Sequence, residues 1–252
     1  MILLGLDLET GGSFDKPLEK NFVTEIGMVL WDTEQKAPVK IYNEIILWPG
    51  TLVADEAAEY NGVTQQMTQD WGVPPDRARS ALCEFLKRAD YVVAHNGRAF
   101  DLPIVMQTWS DCGADQKIWI DTMEDVPYPK DCRSRNLTYL TAFHKLLNPF
   151  PHRAVTDVLI MLEILAQYDI NEVIKRAEAP RWRIEAVCLP FARKDEAKTM
   201  GFRWDAPNKI WYKNYNDYEL ENAGFTACGK KKNYVDKNGN LFFPFKIKRL
   251  GV

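Results

Sequence analysis

Hydrophobic residues near the start of the chain fall in short runs that predict β-strands. Three such runs, each bounded by turn or polar residues, predict an antiparallel meander over residues 2–8, 22–31 and 41–47. Residues 76–89 instead repeat their apolar positions at helical spacing, and a short apolar run at 91–94 predicts a strand directly after this helix. Strands followed by alternating helices and strands indicate an α/β domain with a mixed sheet.

The rest of the chain continues this alternation and then changes character. The pattern predicts one further strand and three further helices, at 118–120 and at 137–147, 155–165 and from Phe100 onward. Residues 175–183 are mostly charged and predict a linker. Beyond it, residues 184–252 alternate aromatic-rich stretches with turn signals, which predicts a second, small α+β domain. The predicted domains are therefore 1–175 and 184–252.

The composition is that of a globular protein, but its charge is unevenly distributed. The 252 residues are 46% hydrophobic and 27% charged, with a net charge of -3. Residues 1–175 carry 16 basic and 26 acidic residues, a net charge of -10, whereas residues 176–252 carry 16 and 9, a net charge of +7. A basic unit beside an acidic one suits a phosphate polymer as the partner.

The start of the chain and the cysteines predict a cytoplasmic protein. The first six residues are apolar, but they stop at Asp7 without a basic start or a cleavage site. No apolar run approaches the ~18 residues of a membrane span, so we expect no membrane association. The five cysteines are scattered and never spaced as CxxC, which predicts reduced thiols and neither a disulfide framework nor a zinc ribbon.

Four acidic residues and one histidine, spread over three segments, are the candidates for chemistry: Asp7, Glu9, Asp101, His152 and Asp157. Asp7 and Glu9 are two residues apart on a strand and so share a face. Carboxylates gathered in one pocket raise one another's pKa unless a cation lies between them, and an all-oxygen set favours Mg²⁺ or Mn²⁺. Two such ions with a neutral histidine as proton acceptor predict hydrolysis of a nucleic-acid backbone.

The segments that carry these residues resemble the three motifs of the DEDDh subgroup of DnaQ-like 3′-5′ exonucleases. LDLETGG is similar to the first motif, HNGRAFD to the second and HRAVTD to the third, in family order over about the first 170 residues. Residues 61–64 and 121–122 show weaker similarity to family segments. The segment 12–21 is longer than in many family members. The resemblance implies an RNase H-like fold for this part of the chain.

The resemblance also implies a role for each site residue. Asp7, Glu9, Asp101 and Asp157 would hold two Mg²⁺ or Mn²⁺ ions, with Asp7 bridging them, and His152 would be the general base. The terminal nucleotide would lie in a cleft formed by Thr10, Gly11, Asn96 and Phe100. The implied activity is the release of mononucleotides from 3′ ends of single-stranded DNA.

Two other functions stay open at this point. The enzyme could be an exoribonuclease that trims short RNA, because recognition of the 2′-hydroxyl cannot be deduced from one sequence. Alternatively, the chain could be a non-catalytic nucleic-acid-binding or polymerase-docking module, although four mutually repelling carboxylates have no physical reason to be kept in such a module. A replication or repair protein is a further candidate partner. His95 and His144 are interpreted as structural.

The second predicted domain also shows a resemblance. Residues 195–211 resemble a small domain appended to phage and plasmid nucleic-acid enzymes. One hypothesis is a nucleic-acid grip, in which basic side chains bind phosphates and aromatic ones stack on bases: Arg193, Lys194, Lys198, Arg203, Lys209 and Lys213, with Trp204, Trp211 and Tyr212. The alternative is that the aromatic residues form the core of a small domain and the lysines keep it soluble. Residues 230–232, three lysines, are interpreted as a solvated turn.

Overall fold

A computed structural model describes residues 1–12, 21–186, 189, 191–217 and 245–250. Most of the long segment 12–21 and all of the lysine cluster 230–232 lie outside the described residues. The chain divides into two compact units, Met1–Ala177 and Glu178–Val252.

A five-stranded mixed sheet forms the centre of the first unit. Its strands are β1 (Ile2–Thr10), β2 (Val23–Asp32), β3 (Ala37–Ile45), β4 (Tyr91–Ala94) and β5 (Trp119–Asp121). Their order is β3-β2-β1-β4-β5, with β1, β2 and β3 antiparallel and with β4 parallel to both β1 and β5. The predicted meander and the predicted mixed α/β fold are confirmed.

Seven α-helices accompany this sheet in the described part of the first unit. They are α1 (Asp55–Asn61), α2 (Gln65–Trp71), α3 (Pro75–Arg88), α4 (Asp101–Thr108), α5 (Leu137–Phe143), α6 (Ala154–Leu165) and α7 (Ile170–Glu178). The helices α1 and α2 were not predicted, because each has seven residues and buries only one or two of them. The helix predicted over 137–147 ends at Phe143, and Lys145 then adopts a left-handed φ of 59°.

The prediction of a linker over residues 175–183 is wrong. Lys175 belongs to the last turn of α7, and a strand of the second unit begins at Arg181. The charged residues concealed an amphipathic helix, since α7 buries Val173, Ile174 and Ala177 on one face.

Alternation along β1 sends its side chains into two cores. Leu4, Leu6 and Leu8 pack in a core with α3 and α4, whereas Leu3 packs in a second core with α6. Asp7 and Glu9 are on the same face of the strand as Leu3, and therefore face the side where α6 lies.

Two glycines allow α6 to approach the sheet closely. A Cβ atom at Gly27 of β2 would lie 2.4 Å from the backbone nitrogen of Val155, and one at Gly5 of β1 would lie 2.6 Å from the Val158 side chain. Any larger residue at position 27 would therefore push against the helix backbone itself. The first turn of α6 consequently lies directly over the β1–β2 pair.

The structure contradicts the prediction that all of the cysteines are reduced thiols. Cys83 of α3 and Cys112 of a short 3-10 helix (Ser110–Cys112) form a disulfide bond, with their Cα atoms 4.8 Å apart. The prediction of reduced thiols is wrong for these two residues, because packing of the two helices joins positions 29 residues apart, a separation that no spacing motif reveals. Cys132 is a buried free thiol. Cys188 and Cys228 lie outside the described residues.

The second unit contains an antiparallel sheet with a helix on one face. Its elements are β6 (Arg181–Ala186), α8 (Lys194–Thr199), β7 (Arg203–Asp205), β8 (Ile210–Asn216) and β9 (Phe245–Arg249). The strand order is β7-β8-β6-β9. A small core holds the unit together, formed by Ile184, Ala186, Ala197, Phe202 and Tyr215. The prediction of a second, small α+β fold is confirmed.

Among the helices described in both units, none combines the length and the hydrophobicity that crossing a bilayer requires.

Candidate active site

Three of the predicted metal-binding acids converge at the end of β1. Asp7 and Glu9 project from the strand, and Asp157 projects from the first turn of α6. One oxygen of each carboxylate lies within 4.8 Å of one of each of the other two. Residues 150 positions apart in sequence therefore form a single acidic cluster.

Asp101 lies beside this cluster but is not part of the closely spaced group. It is the first residue of α4, it is 1% exposed, and its carboxylate accepts a hydrogen bond from the Leu8 amide at 3.1 Å. This hydrogen bond joins Asp101 to the residue that follows Asp7 on β1. All four predicted acids thus lie at the same end of β1.

The electrostatics of the cluster are unfavourable without a cation. Burial raises the pKa of Asp7 well above its usual value, and the charges of Asp101, Glu9 and Asp157 raise it further. Burial, with the charge of Glu25 next, raises the pKa of Glu9 to about 8. Buried like charges resist ionising together, so the fully ionised cluster needs a positive partner. The all-oxygen donor set fits hard divalent cations such as Mg²⁺ or Mn²⁺.

Glu25 is a fifth acid at the site, which the sequence analysis missed. It lies on β2 directly across from Glu9 and is completely buried. The Arg153 guanidinium neutralises it with hydrogen bonds of 2.7 and 3.0 Å, and the Ala154 amide also donates to it. The signal was available, because a glutamate within an apolar strand is unusual, but its partner Arg153 is 128 residues away.

His152 is held next to the cluster by its backbone and by its ring. Its φ of 63° is in the left-handed region, and its amide donates to the Asp157 carboxylate at 3.0 Å. The ring lies against Tyr60 of α1, with the two ring centroids 4.2 Å apart. Tyr60 was not predicted, because α1 was not predicted. The other Asp157 oxygen accepts from the Asn148 amide, so protein donors engage both of its oxygens.

Two cavities meet at the cluster, and both are lined by Asp7, Tyr60, His152 and Asp157. The smaller, of about 390 Å³, also reaches Glu9, Thr10, Asn61 and Phe100. The larger, of about 580 Å³, extends toward the polar residues Ser134, Arg135, Asn136, Thr138 and Asn148. Asp7 and Asp157 therefore lie where the two cavities meet.

Of the four predicted nucleotide-binding residues, two line the smaller cavity and two do not. Thr10 and Phe100 line the smaller cavity. Gly11 is buried, and its backbone donates to Phe22 and accepts from Ala54. Asn96 adopts a left-handed φ of 65° at the end of β4, and it lines neither of these two cavities in the part of the chain that the structure describes.

The weaker similarity at residues 61–64 has a structural counterpart at the smaller cavity. The Asn61 amide donates to the Thr10 carbonyl at 3.2 Å, and its oxygen accepts from the Val63 amide at 2.9 Å. Asp121 at the end of β5 accepts from the Asn96 amide at 2.9 Å. Both residues therefore organise the loops around the carboxylates.

The other two histidines make structural contacts, as interpreted from the sequence. His95 contacts Thr122 at 2.8 Å, and burial lowers the pKa of its ring to about 4, which keeps it neutral. It also lines the larger cavity. The His144 ring bonds to the Leu140 carbonyl and the Tyr168 hydroxyl.

Comparison with known proteins agrees with this geometry. A family model described as "Exonuclease" matches residues 4–165, which include all of the candidate site. A model described as a domain of unknown function (DUF5710) matches residues 188–219. No curated protein sequence matches the chain.

Several solved structures share the fold at low sequence identity. Exonuclease I is 15% identical with a TM-score of 0.57, over 82% of this chain and 46% of that one. Exonuclease I of E. coli in complex with a dT13 oligonucleotide is 13% identical with a TM-score of 0.55, over 73% of this chain and 48% of that one. The chain thus spans about half the length of the exonuclease I structures.

The nuclease domain of 3′hExo, a DEDDh family member bound to rAMP, is 13% identical with a TM-score of 0.52, over 66% of this chain and 90% of that one. At these identities, the structures show a common fold. The family match covers well over half of the chain and all three predicted motif segments. The chain therefore belongs to the exonuclease family, which confirms the predicted relationship to DnaQ-like exonucleases.

Proposed function

We propose that this protein is a two-metal-ion 3′-5′ exonuclease of the DEDDh type, which hydrolyses the terminal phosphodiester of single-stranded DNA and releases mononucleotides. The observation that supports the proposal most directly is the convergence of Asp7, Glu9 and Asp157 within 4.8 Å, with His152 beside them. Such a cluster has the charge to hold divalent cations and a neighbour that can accept a proton.

The residues of the chain have distinct parts in this mechanism. Asp7, Glu9, Asp101 and Asp157 would hold two Mg²⁺ or Mn²⁺ ions, which supply charge neutralisation and a nucleophilic water at neutral pH. The His152 imidazole takes the proton of the attacking water as the new P–O bond forms and the P–O3′ bond breaks. The Tyr60 ring and the Asp157–amide contact keep His152 in place for this transfer.

Terminal nucleotide recognition belongs to the smaller cavity in this proposal. Thr10 and Phe100 line it beside Glu9, so a nucleoside there would have its phosphate at the carboxylates. Phe100 offers an aromatic surface for a base, a contact that tolerates any sequence. Gly11 and Asn96 would act through their backbones, by shaping the two loops at this end of the sheet.

Solved structures of similar fold bear on the choice between DNA and RNA. Structures of exonuclease I with single-stranded DNA support DNA. The structure of 3′hExo with rAMP supports the alternative, an exoribonuclease. The deciding contacts are those to the 2′-hydroxyl of a bound nucleotide.

A direct assay tests the proposed function. Single-stranded DNA and RNA oligonucleotides of matched sequence, labelled at the 5′ end or the 3′ end, are incubated with the protein in EDTA, Mg²⁺ or Mn²⁺. We expect a ladder of shortened 5′-labelled DNA and free labelled mononucleotide from the 3′ end, with metal only. Internal cuts, release from the 5′ end or full activity in EDTA would contradict the proposal, and faster cleavage of RNA would make the enzyme an exoribonuclease.

We further propose that the second unit contributes to nucleic-acid binding. Several of its predicted phosphate contacts are engaged within the unit: Arg193 pairs with Glu196, Lys198 pairs with Asp195, and Lys213 donates to the Met200 carbonyl. Arg203 and Lys209 form no ion pair with the residues that the structure describes, and the Trp204 ring between them in sequence is 49% exposed. These three residues of the β7–β8 hairpin are the best candidates for a single-strand contact.

A further inference from the structure

A basic side chain in the wall of the larger cavity has no acidic partner among the described residues. Arg135 precedes α5 and lines this cavity together with Asp7 and Asp157. Its Nη1 atom is buried and has no hydrogen-bond partner, and Arg135 forms no ion pair with any described residue. A buried guanidinium N–H without an acceptor costs stability, so a bound anion or an ordered water that accepts from this guanidinium would offset the cost.

Contacts on two sides hold Arg135 in this position. Its guanidinium lies over the Tyr128 ring at 4.4 Å from the centroid. Its backbone lies next to the ring of His95, and burial lowers the pKa of that ring to about 4. The Ser134 hydroxyl accepts from the Asn136 amide at 3.2 Å and fixes the turn that carries Arg135. A rigidly placed guanidinium offers a fixed fork of donors, which suits a phosphate.

The position of the cavity indicates which phosphate. The carboxylate cluster lies between the two cavities, so a phosphodiester held there has one nucleoside on each side. If the terminal nucleoside occupies the smaller cavity with Thr10 and Phe100, as in the proposed function, the preceding nucleotides must leave through the larger one. The larger cavity is lined by two carboxylates and by Arg135 as its one charged cation among the described residues.

We propose that Arg135 binds a backbone phosphate on the 5′ side of the scissile bond. The larger cavity is then the binding site for the strand that remains after each cut, and Arg135 is its phosphate contact. This inference rests on the proposed function for its direction along the strand. The loop before α5 would then supply the positive charge with which the acidic first unit holds a polyanionic strand.

Two substrates distinguish binding of a phosphate on the 5′ side from a general effect of Arg135 on catalysis or folding. An oligonucleotide has phosphates on the 5′ side of the scissile bond, whereas the p-nitrophenyl ester of thymidine 5′-phosphate has only the scissile one. The Arg135→Gln variant is compared with wild type and with Arg133→Gln, an exposed arginine of the same loop. We expect kcat/KM to fall about tenfold for the oligonucleotide, the loss of one charge-assisted contact, and by less than twofold for the ester. Arg135→Lys should recover part of the loss.

A binding measurement makes the inference independent of catalysis. A fluorescent single-stranded 12-mer is titrated into Asp7→Asn protein with and without Arg135→Gln, across a salt series. We expect Arg135→Gln to weaken binding about tenfold. The slope of log K against log salt concentration should become less steep by about 0.7. Equal losses on both substrates would place Arg135 at the scissile phosphate or in folding, and unchanged binding of the 12-mer would exclude the contact; either result overturns the inference. If wild type cleaves neither substrate, the proposed function fails, and the binding result still decides whether Arg135 contacts the strand.

Discussion

The two units of this protein handle charge in opposite ways. In the first unit, carboxylates of like sign are gathered in a buried place, and burial raises the pKa of Asp7, Asp101 and Asp157. In the second unit, acids such as Asp195, Glu196 and Asp205 pair with basic side chains, and hydrogen bonds from Asn208 and Arg183 lower the pKa of Asp205. Pairing within the chain satisfies the second set of charges, whereas the first set is left to be satisfied from outside.

This contrast separates structural charges from functional ones better than the count of charges does. An exposed pair such as Arg193 with Glu196 contributes little to stability, because water already solvates both groups. A buried cluster of like charges lowers stability unless protonation or a bound cation reduces the repulsion. Glu25 in the first unit is an intermediate case. It is buried like the acids of the cluster, but the Arg153 guanidinium neutralises it and does not neutralise the other acids.

The largest effect should come from removing one charge of the cluster. We expect Asp7→Asn to lower kcat on a single-stranded oligonucleotide by more than about 10³-fold, because the cations that neutralise the phosphate are no longer held. The matched control is Asp195→Asn in the second unit, an exposed acid outside the β7–β8 hairpin, which should keep near wild-type activity. Rates are measured from labelled product over a range of Mn²⁺ concentrations. Cleavage by Asp7→Asn at the wild-type rate would show that the buried cluster is not the active centre.

Removing the proton acceptor should have a smaller effect of a different kind. We expect His152→Ala to lower kcat by roughly 10²- to 10⁴-fold, the usual contribution of a positioned general base. Metal affinity should barely change, because His152 contacts the cluster through its backbone amide and not as a ligand. Calorimetric titration with Mn²⁺ measures this directly. A large loss of metal affinity would instead make the histidine a ligand.

The raised pKa of Glu9 predicts how stability depends on pH without metal. Its pKa is about 8 in the folded protein against its usual 4.5, so the folded state binds the extra proton. The stabilisation is complete below pH 4.5 and is lost as the pH rises toward 8, by up to ~1.4 kcal/mol per pH unit. In EDTA, the free energy of unfolding should therefore fall between pH 5 and pH 8. Mn²⁺ should remove most of this decrease, and a flat profile in EDTA would contradict the crowding of charges.

The smallest effect should come from the exposed side of the second unit. We expect the triple variant of Arg203→Gln, Trp204→Ala and Lys209→Gln to weaken binding of a single-stranded 30-mer about tenfold, through lost stacking and phosphate contacts. The slope of log K against log salt concentration should become less steep by about 1.4, because two phosphate contacts are lost. Arg193→Gln with Lys198→Gln is the control, because both of these residues are already paired. Equal binding by the triple variant and the control would indicate that the hairpin contacts something else, such as a protein.

Local patterns in the sequence predicted most of the architecture and the acids of the site. Asp7 and Glu9 were placed correctly on a strand end, since period-two alternation determines which side chains share a face. The residues that were missed depend on pairing between distant segments. Glu25 faces Glu9 only through the β1–β2 register, Tyr60 meets His152 only through tertiary packing, and Cys83 meets Cys112 across two helices. None of these contacts leaves a periodic signal along the chain.

The helix α6 packs closely against Gly27, so the geometry of the acidic cluster depends on the fact that glycine has no Cβ atom. The backbone at Val155 would meet a methyl group at position 27 at 2.4 Å, and Asp157 lies only two residues farther along the same helix. An alanine there would act as a spacer that moves one carboxylate relative to Asp7 while every ligand is kept. Because Mg²⁺ demands short, regular coordination and larger cations accept longer distances, the ion preference of the proposed metal site would then depend on a position that never touches the ion.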